Sequence, residues 1–117
     1  MLSRYGQEVP VSVCPSAVVE APIEHVWDLV TSPEGFDSWA DATLVGADPP
    51  GRARAGQRLR LVTPALGRAF RVDISVLEVD AERRRLHLLA HLPFGLVNDE
   101  TITMAPVGEG RTMVRFG

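Results

Sequence analysis

Apolar residues recur with a helical period over one short stretch of this sequence, and beyond it they mostly alternate. The stretch runs from Ala21 to Trp39. It confines the chain to an α+β arrangement, with two short helices near the start and a succession of strands after them. Pro22 stands where a helix begins, a place where its missing N–H costs nothing. Ile23, Val26, Trp27 and Val30 follow at i, i+3, i+4 and i+7 and make one apolar stripe; Glu24, His25 and Asp28 fall on the other side. Ser32-Pro33-Glu34 restarts the signal with a capping residue, a first-turn proline and an acid at the positive helix end. Gly35 keeps this second helix short, and Phe36 and Trp39 follow it.

Strand patterns fill most of the remainder. Val9 to Val19 is rich in β-branched residues, and Pro15, which cannot donate to a ladder, predicts a bulge or an edge position there. Further strands are expected over Ala42–Ala47, Arg58–Thr63, Arg68–Val79, Leu86–Leu92, Val97–Ala105 and Thr112–Phe116. In the clearest of them Phe70, Val72, Ile74 and Val76 face one way and Arg71, Asp73 and Ser75 the other. The phase slips at Val76-Leu77, which predicts a bulge or sharp bend. Residues 86–92 contain good helix formers. Yet Leu86, Leu88, Ala90 and Leu92 alternate and Pro93 closes the run at strand length, so the segment reads as a strand. Gly46–Gln57 is a Gly/Pro-rich surface connection, and Pro64–Gly67, Asp80–Arg84, Pro93–Gly95 and Pro106–Gly110 are turns.

Composition narrows the chemistry. The 117 residues make one domain, covering positions 1–117, with enough chain for a core. No apolar run approaches the roughly 20 residues of a membrane span. A net charge of -3 argues against a nucleic-acid partner, which wants a basic face. Cys14 is the single cysteine, which excludes an internal disulfide, and residues 1–13 lack the apolar centre of a signal peptide; both point to the cytoplasm. All 12 basic side chains are arginine, so lysine Schiff-base chemistry is excluded, as is a phosphate-binding loop that needs lysine.

A strand, two short helices and a run of antiparallel strands, together with APIEHVWDLVTSPEGFDSWA from Ala21 onward, resembles the START-like (SRPBCC, helix-grip) superfamily. This is the group that holds polyketide cyclases/dehydrases and lipid-transfer domains. The resemblance covers about Val11 to the end, and its most specific part is Ala21 through Glu34. It implies a curved antiparallel sheet around a long C-terminal helix, with a small hydrophobic molecule bound between them. The last strand ends at Phe116, so that long helix is missing here and the domain is C-terminally short. The open apolar face is then expected to be covered by a second copy, as a homodimer. The resemblance carries no catalytic motif. It implies binding of a lipid- or polyketide-like ligand, with a polyketide cyclase/dehydratase-type enzyme and a co-chaperone-like interaction module as alternatives. No cofactor is expected.

Trp39, Phe70, Ile74, Leu88, Phe94 and Met104 are the apolar groups expected on the concave wall; each taken singly reads first as core, and as a set they are the expected ligand contacts. Glu100 shares the parity of Ile102 and Met104, which places a carboxylate on that same wall. It is the candidate catalytic acid or base, against the simpler reading of a rim carboxylate paired with an arginine. Asp99 faces the other way, so the two acids do not act as a pair. His87 and His91 would lie about 6 Å apart on a helix but about 13 Å apart on a strand. The strand assignment therefore leaves no metal pair there. Arg58, Arg60, Arg71 and Asp73 share the outer parity and are expected to form cross-strand ion pairs.

Overall fold

The computed structural model describes residues 16–39 and 42–117. The elements are β1 (Ser16–Val19), α1 (Ile23–Val30), α2 (Phe36–Trp39), β2 (Thr43–Asp48), β3 (Arg58–Ala65), β4 (Arg68–Asp80), β5 (Arg85–His91), β6 (Val97–Pro106) and β7 (Thr112–Phe116). The strands form one antiparallel sheet in the order β1-β7-β6-β5-β4-β3-β2. β1 and β2 follow one another in the chain but occupy opposite edges. Six inter-strand steps of about 4.8 Å would put those edges roughly 29 Å apart in a flat sheet. The helix pair crosses between them on one face.

Strand parity then sorts the side chains. Leu59, Leu61, Val72, Val76, Leu86, Leu88, Ile102, Met104 and Val114 are buried on the inner face. α1 supplies Val26, Trp27 and Val30 to the same cluster, and Phe36 joins from the start of α2. The stripe read from the sequence is thus the buried face of α1, with Glu24, His25 and Asp28 exposed. The register shifts between Val76 and Glu78 where β4 pairs with β5, at the place where the hydrophobic phase slips. Residues 85–91 are a strand, so alternation outweighs helix propensity there. No helix among the described residues is long and apolar enough to cross a membrane.

Local details depart from the sequence reading in three places. Ser32 does not cap the next helical turn. Its hydroxyl donates back to the carbonyl of Asp28 (2.7 Å) and so closes α1 instead. The segment after it is a 3₁₀ turn at Pro33–Gly35 that runs into α2, so Phe36 and Trp39 belong to the second helix and do not merely follow it. Pro64 lies inside β3, paired with Ala69. Pairing with β2 stops at Val62, so the missing N–H of Pro64 falls where no strand asks for it. The turn shrinks to Leu66 and Gly67, both at positive φ (53° and 73°). The bulge or edge position expected at Pro15 lies outside the described residues, and the strand that follows it, β1, is at an edge of the sheet.

The connection from Pro49 to Gln57 is held by one buried side chain. The Gln57 amide nitrogen donates to the carbonyls of Pro49 (2.9 Å) and Gly51 (3.0 Å), with that of Arg52 at 3.4 Å. Gln57 is fully buried. Its carbonyl oxygen has no partner among the described residues, because the surrounding acceptors require the NH₂ end. The loop is also tied to the end of α1, through Ala53 N–H to Thr31 O (2.8 Å) and the Arg52 guanidinium to the Thr31 hydroxyl (2.6 Å).

Two stability predictions follow from these turns. Gln57→Met leaves the loop carbonyls unpaired and should cost about 2 kcal/mol in urea denaturation. Gln57→Glu should cost more, since it sets a carboxylate against those carbonyl oxygens. Leu66 is 95% exposed and gives up no packing when replaced. Leu66→Asn creates the Asn-Gly pair that a two-residue hairpin turn with positive φ prefers, and should raise stability by about 1 kcal/mol.

Candidate functional site

The helix pair covers only part of the inner face. Beyond it the sheet opens into a depression of about 350 Å³. Its wall is made by Leu61 and Thr63 of β3, Val72 and Ile74 of β4, Leu88 of β5, Glu100 and Ile102 of β6 and Phe116 of β7; Phe36, Ala42 and Leu92 close the rim. These residues come together because the inner-face positions of adjacent strands are in register. Leu61 is opposite Val72, Val76 opposite Leu88, and Leu88 opposite Glu100. The volume is within the range of small-molecule sites, which are mostly apolar with a few placed polar groups.

Glu100 is the only titratable side chain on this wall among the described residues. It is half-buried and accepts a hydrogen bond at Oε1 from the Asn98 side-chain amide (3.3 Å). Among the described residues no arginine pairs with it; their ion pairs within 4 Å are Arg52–Asp28, Arg83–Asp80, Arg84–Glu24, Arg85–Glu78, His87–Asp99 and Arg111–Glu20. A carboxylate in that position can accept a hydrogen bond from a ligand hydroxyl or amine, or exchange a proton with it.

Of the six apolar residues singled out from the sequence, Ile74 and Leu88 line the depression. Met104 has the right parity but is 7% exposed within the cluster that includes α1, and it contributes to the core. Phe70 lies further along β4 and contacts Phe94, with ring centroids 6.2 Å apart. Phe94 is not among the residues that line the depression; it sits at φ 66° in a 3₁₀ turn and is 87% exposed. Trp39 is in α2, and its side chain lies outside the described residues. Leu61, Val72, Ile102 and Phe116 were missed as wall residues. Their parity was readable, but the extent of the helix cover, which decides the exposed rows, was not.

The remaining candidates are on the outer face. His87 Nε2 is 2.6 Å from Asp99 Oδ1, and His91 is exposed opposite Asp73. Both imidazoles are on the side away from the depression. No group of three or more metal-ligating side chains occurs among the described residues. Arg58, Arg60, Arg71 and Asp73 share the outer face as expected. The cross-strand ion pairs expected among them do not form, although Arg60 is directly opposite Asp73.

Residues 10–117 match the family model described as polyketide cyclase/dehydrase and lipid transport. The chain belongs to this family. Its fold is shared with a protein of Mycobacterium smegmatis (TM-score 0.72, 18% identity, 89% of this chain and 69% of that one). It is shared also with a protein of Thermus thermophilus (TM-score 0.65, 26% identity, 90% and 71%). Norcoclaurine synthase from Thalictrum flavum has the same architecture at TM-score 0.62 and 15% identity, over 89% of this chain and 65% of that enzyme. Among curated proteins no sequence matches. The helix-grip sheet of the family is thus present, with β7 as the last described element.

The half-burial of Glu100 on an apolar wall gives its position a direct check. Glu100→Leu removes the single charge from the wall while keeping its size. Half-burial beside Leu88 and Ile102 means this change should leave stability within about 1 kcal/mol or raise it, as read by thermal unfolding.

Proposed function

We propose that the concave inner face binds a small hydrophobic or aromatic molecule, lipid- or polyketide-like, with Glu100 orienting its polar end. The supporting observation is the depression itself, an apolar wall carrying a single carboxylate. Burial of ligand surface would drive binding at about 25 cal/mol per Å², and the Glu100 oxygen would select for a hydroxyl or amine on the ligand. The test is native mass spectrometry on gently purified protein, followed by titration with an environment-sensitive apolar dye. Wild type should carry a bound small molecule or take up the dye. Ile74→Trp, which fills the depression, should lower dye affinity at least about tenfold with the fold intact by circular dichroism. Unchanged affinity in that variant removes the reading.

A second reading is favoured by the placement of Glu100 and by the family description. In it the same wall folds a flexible polyketide-like substrate into a reactive pose, and Glu100 moves one proton in a cyclisation or dehydration. Glu100→Gln should then abolish turnover while ligand binding persists. Binding without turnover in wild type, over a panel of polyketide-like substrates, leaves the binding role alone.

We also infer that a second copy closes over the open face, since half-buried Ile74 and Phe116 border it. Light scattering should report a dimer that Ile74→Glu converts to monomer; a monomeric wild type overturns this.

A further inference from the structure

The outer face holds a second and larger depression, about 900 Å³, over β2, β3 and β4. Strand register builds it. Gly46, Arg60, Asp73 and His91 form one row across four strands, each residue directly opposite the next. Gly46 is beside the β2 irregularity, and a side chain there would meet nothing within 4 Å, so this end of the row is open. Arg58 is two residues before Arg60, about 6.6 Å along the strand. Arg71 is the diagonal neighbour of Arg60, at about 7–8 Å. Three arginines therefore flank the Asp73 position on one patch, with Asp48 opposite Arg58 at its edge.

None of these three arginines forms an ion pair or hydrogen bond with its side chain among the described residues; the same holds for Arg54, Arg68 and Arg115, but only these three line one depression together. A guanidinium is a planar fork of donors that fits a phosphate oxygen pair. The three line one depression with free donors, and Asp48 and Asp73 offset only part of their charge, so the patch keeps a positive excess for an entering anion. The two acids keep the net charge of the patch small. That rules against a long polyanion such as nucleic acid and in favour of a compact, multiply charged group.

We propose that this depression binds a phosphate-bearing small molecule, of the phosphate-ester or diphosphate class, clamped by Arg58, Arg60 and Arg71. The site is on the opposite side of the sheet from Glu100 and does not depend on the reading of the concave face.

The test is a titration of the whole chain with inorganic pyrophosphate at low ionic strength, followed by phosphorus NMR and by amide shifts of the protein. Saturable binding with shifts at Arg60, Arg71 and His91 is expected, and it should weaken as salt is added. Arg60→Gln and Arg71→Gln should each lower affinity at least about tenfold. Arg83→Gln, at an exposed turn, should not change it. Absence of saturable binding, equal affinity in the two arginine variants, or shifts confined to the inner face would each overturn the proposal. Circular dichroism of the variants keeps a folding defect from passing as loss of the site.

Discussion

The structure depends on one connectivity constraint: the first strand and the next strand in sequence are at opposite edges of the sheet. A seven-stranded sheet is wider than the eight-residue α1 is long, about 12 Å at 1.5 Å per residue. The helix pair therefore has to pass across the inner face, and its apolar stripe must meet side chains from several strands. Val26, Trp27 and Val30 do this, joined to Leu86, Ile102, Met104 and Val114 in one buried cluster. The helices are too short to cover the whole face. The uncovered remainder is the depression, so the same geometry that completes the core also leaves an apolar hollow beside it.

The two faces are chemically opposite because a strand alternates with period two. In β4, Val72 and Ile74 serve the apolar wall while Arg71 and Asp73 serve the outer patch. Neither surface can be altered by a one-residue register slip without exchanging them. The bulge at Val76/Glu78 lets the strand continue past the bend while keeping Val79 on the side of Leu86.

Much of this was legible in the residues. The helical stripe of α1, the strand nature of residues 86–92, the bulge in β4 and the inward parity of Glu100 all follow from periodicity, which depends on local backbone geometry. What could not be read depends on where backbones end or reverse. Phe94 falls in the turn expected at Pro93–Gly95, and its exposure depends on a backbone at φ 66°, which apolar character alone does not reveal. Met104 has the correct parity and disappears beneath the helix cover. Phe116 and Leu61 belong to the wall only because neighbouring rows are left open. The outer arginines were expected to satisfy Asp73, yet opposition across a ladder does not ensure that long side chains close the remaining distance.

The Pro49–Gln57 loop has a mechanical role. Val76, the residue at the bulge, is bonded on both sides of its peptide, its carbonyl to Gly56 N–H and its N–H to Gln57 O, both at 2.8 Å. The same loop grips the end of α1 through Ala53 and Arg52. It acts as a stay between the bend of the sheet and the helix that spans it. The placement of α1 against the bend of β4 is therefore fixed by backbone hydrogen bonds of a connecting loop, and not by side-chain packing alone.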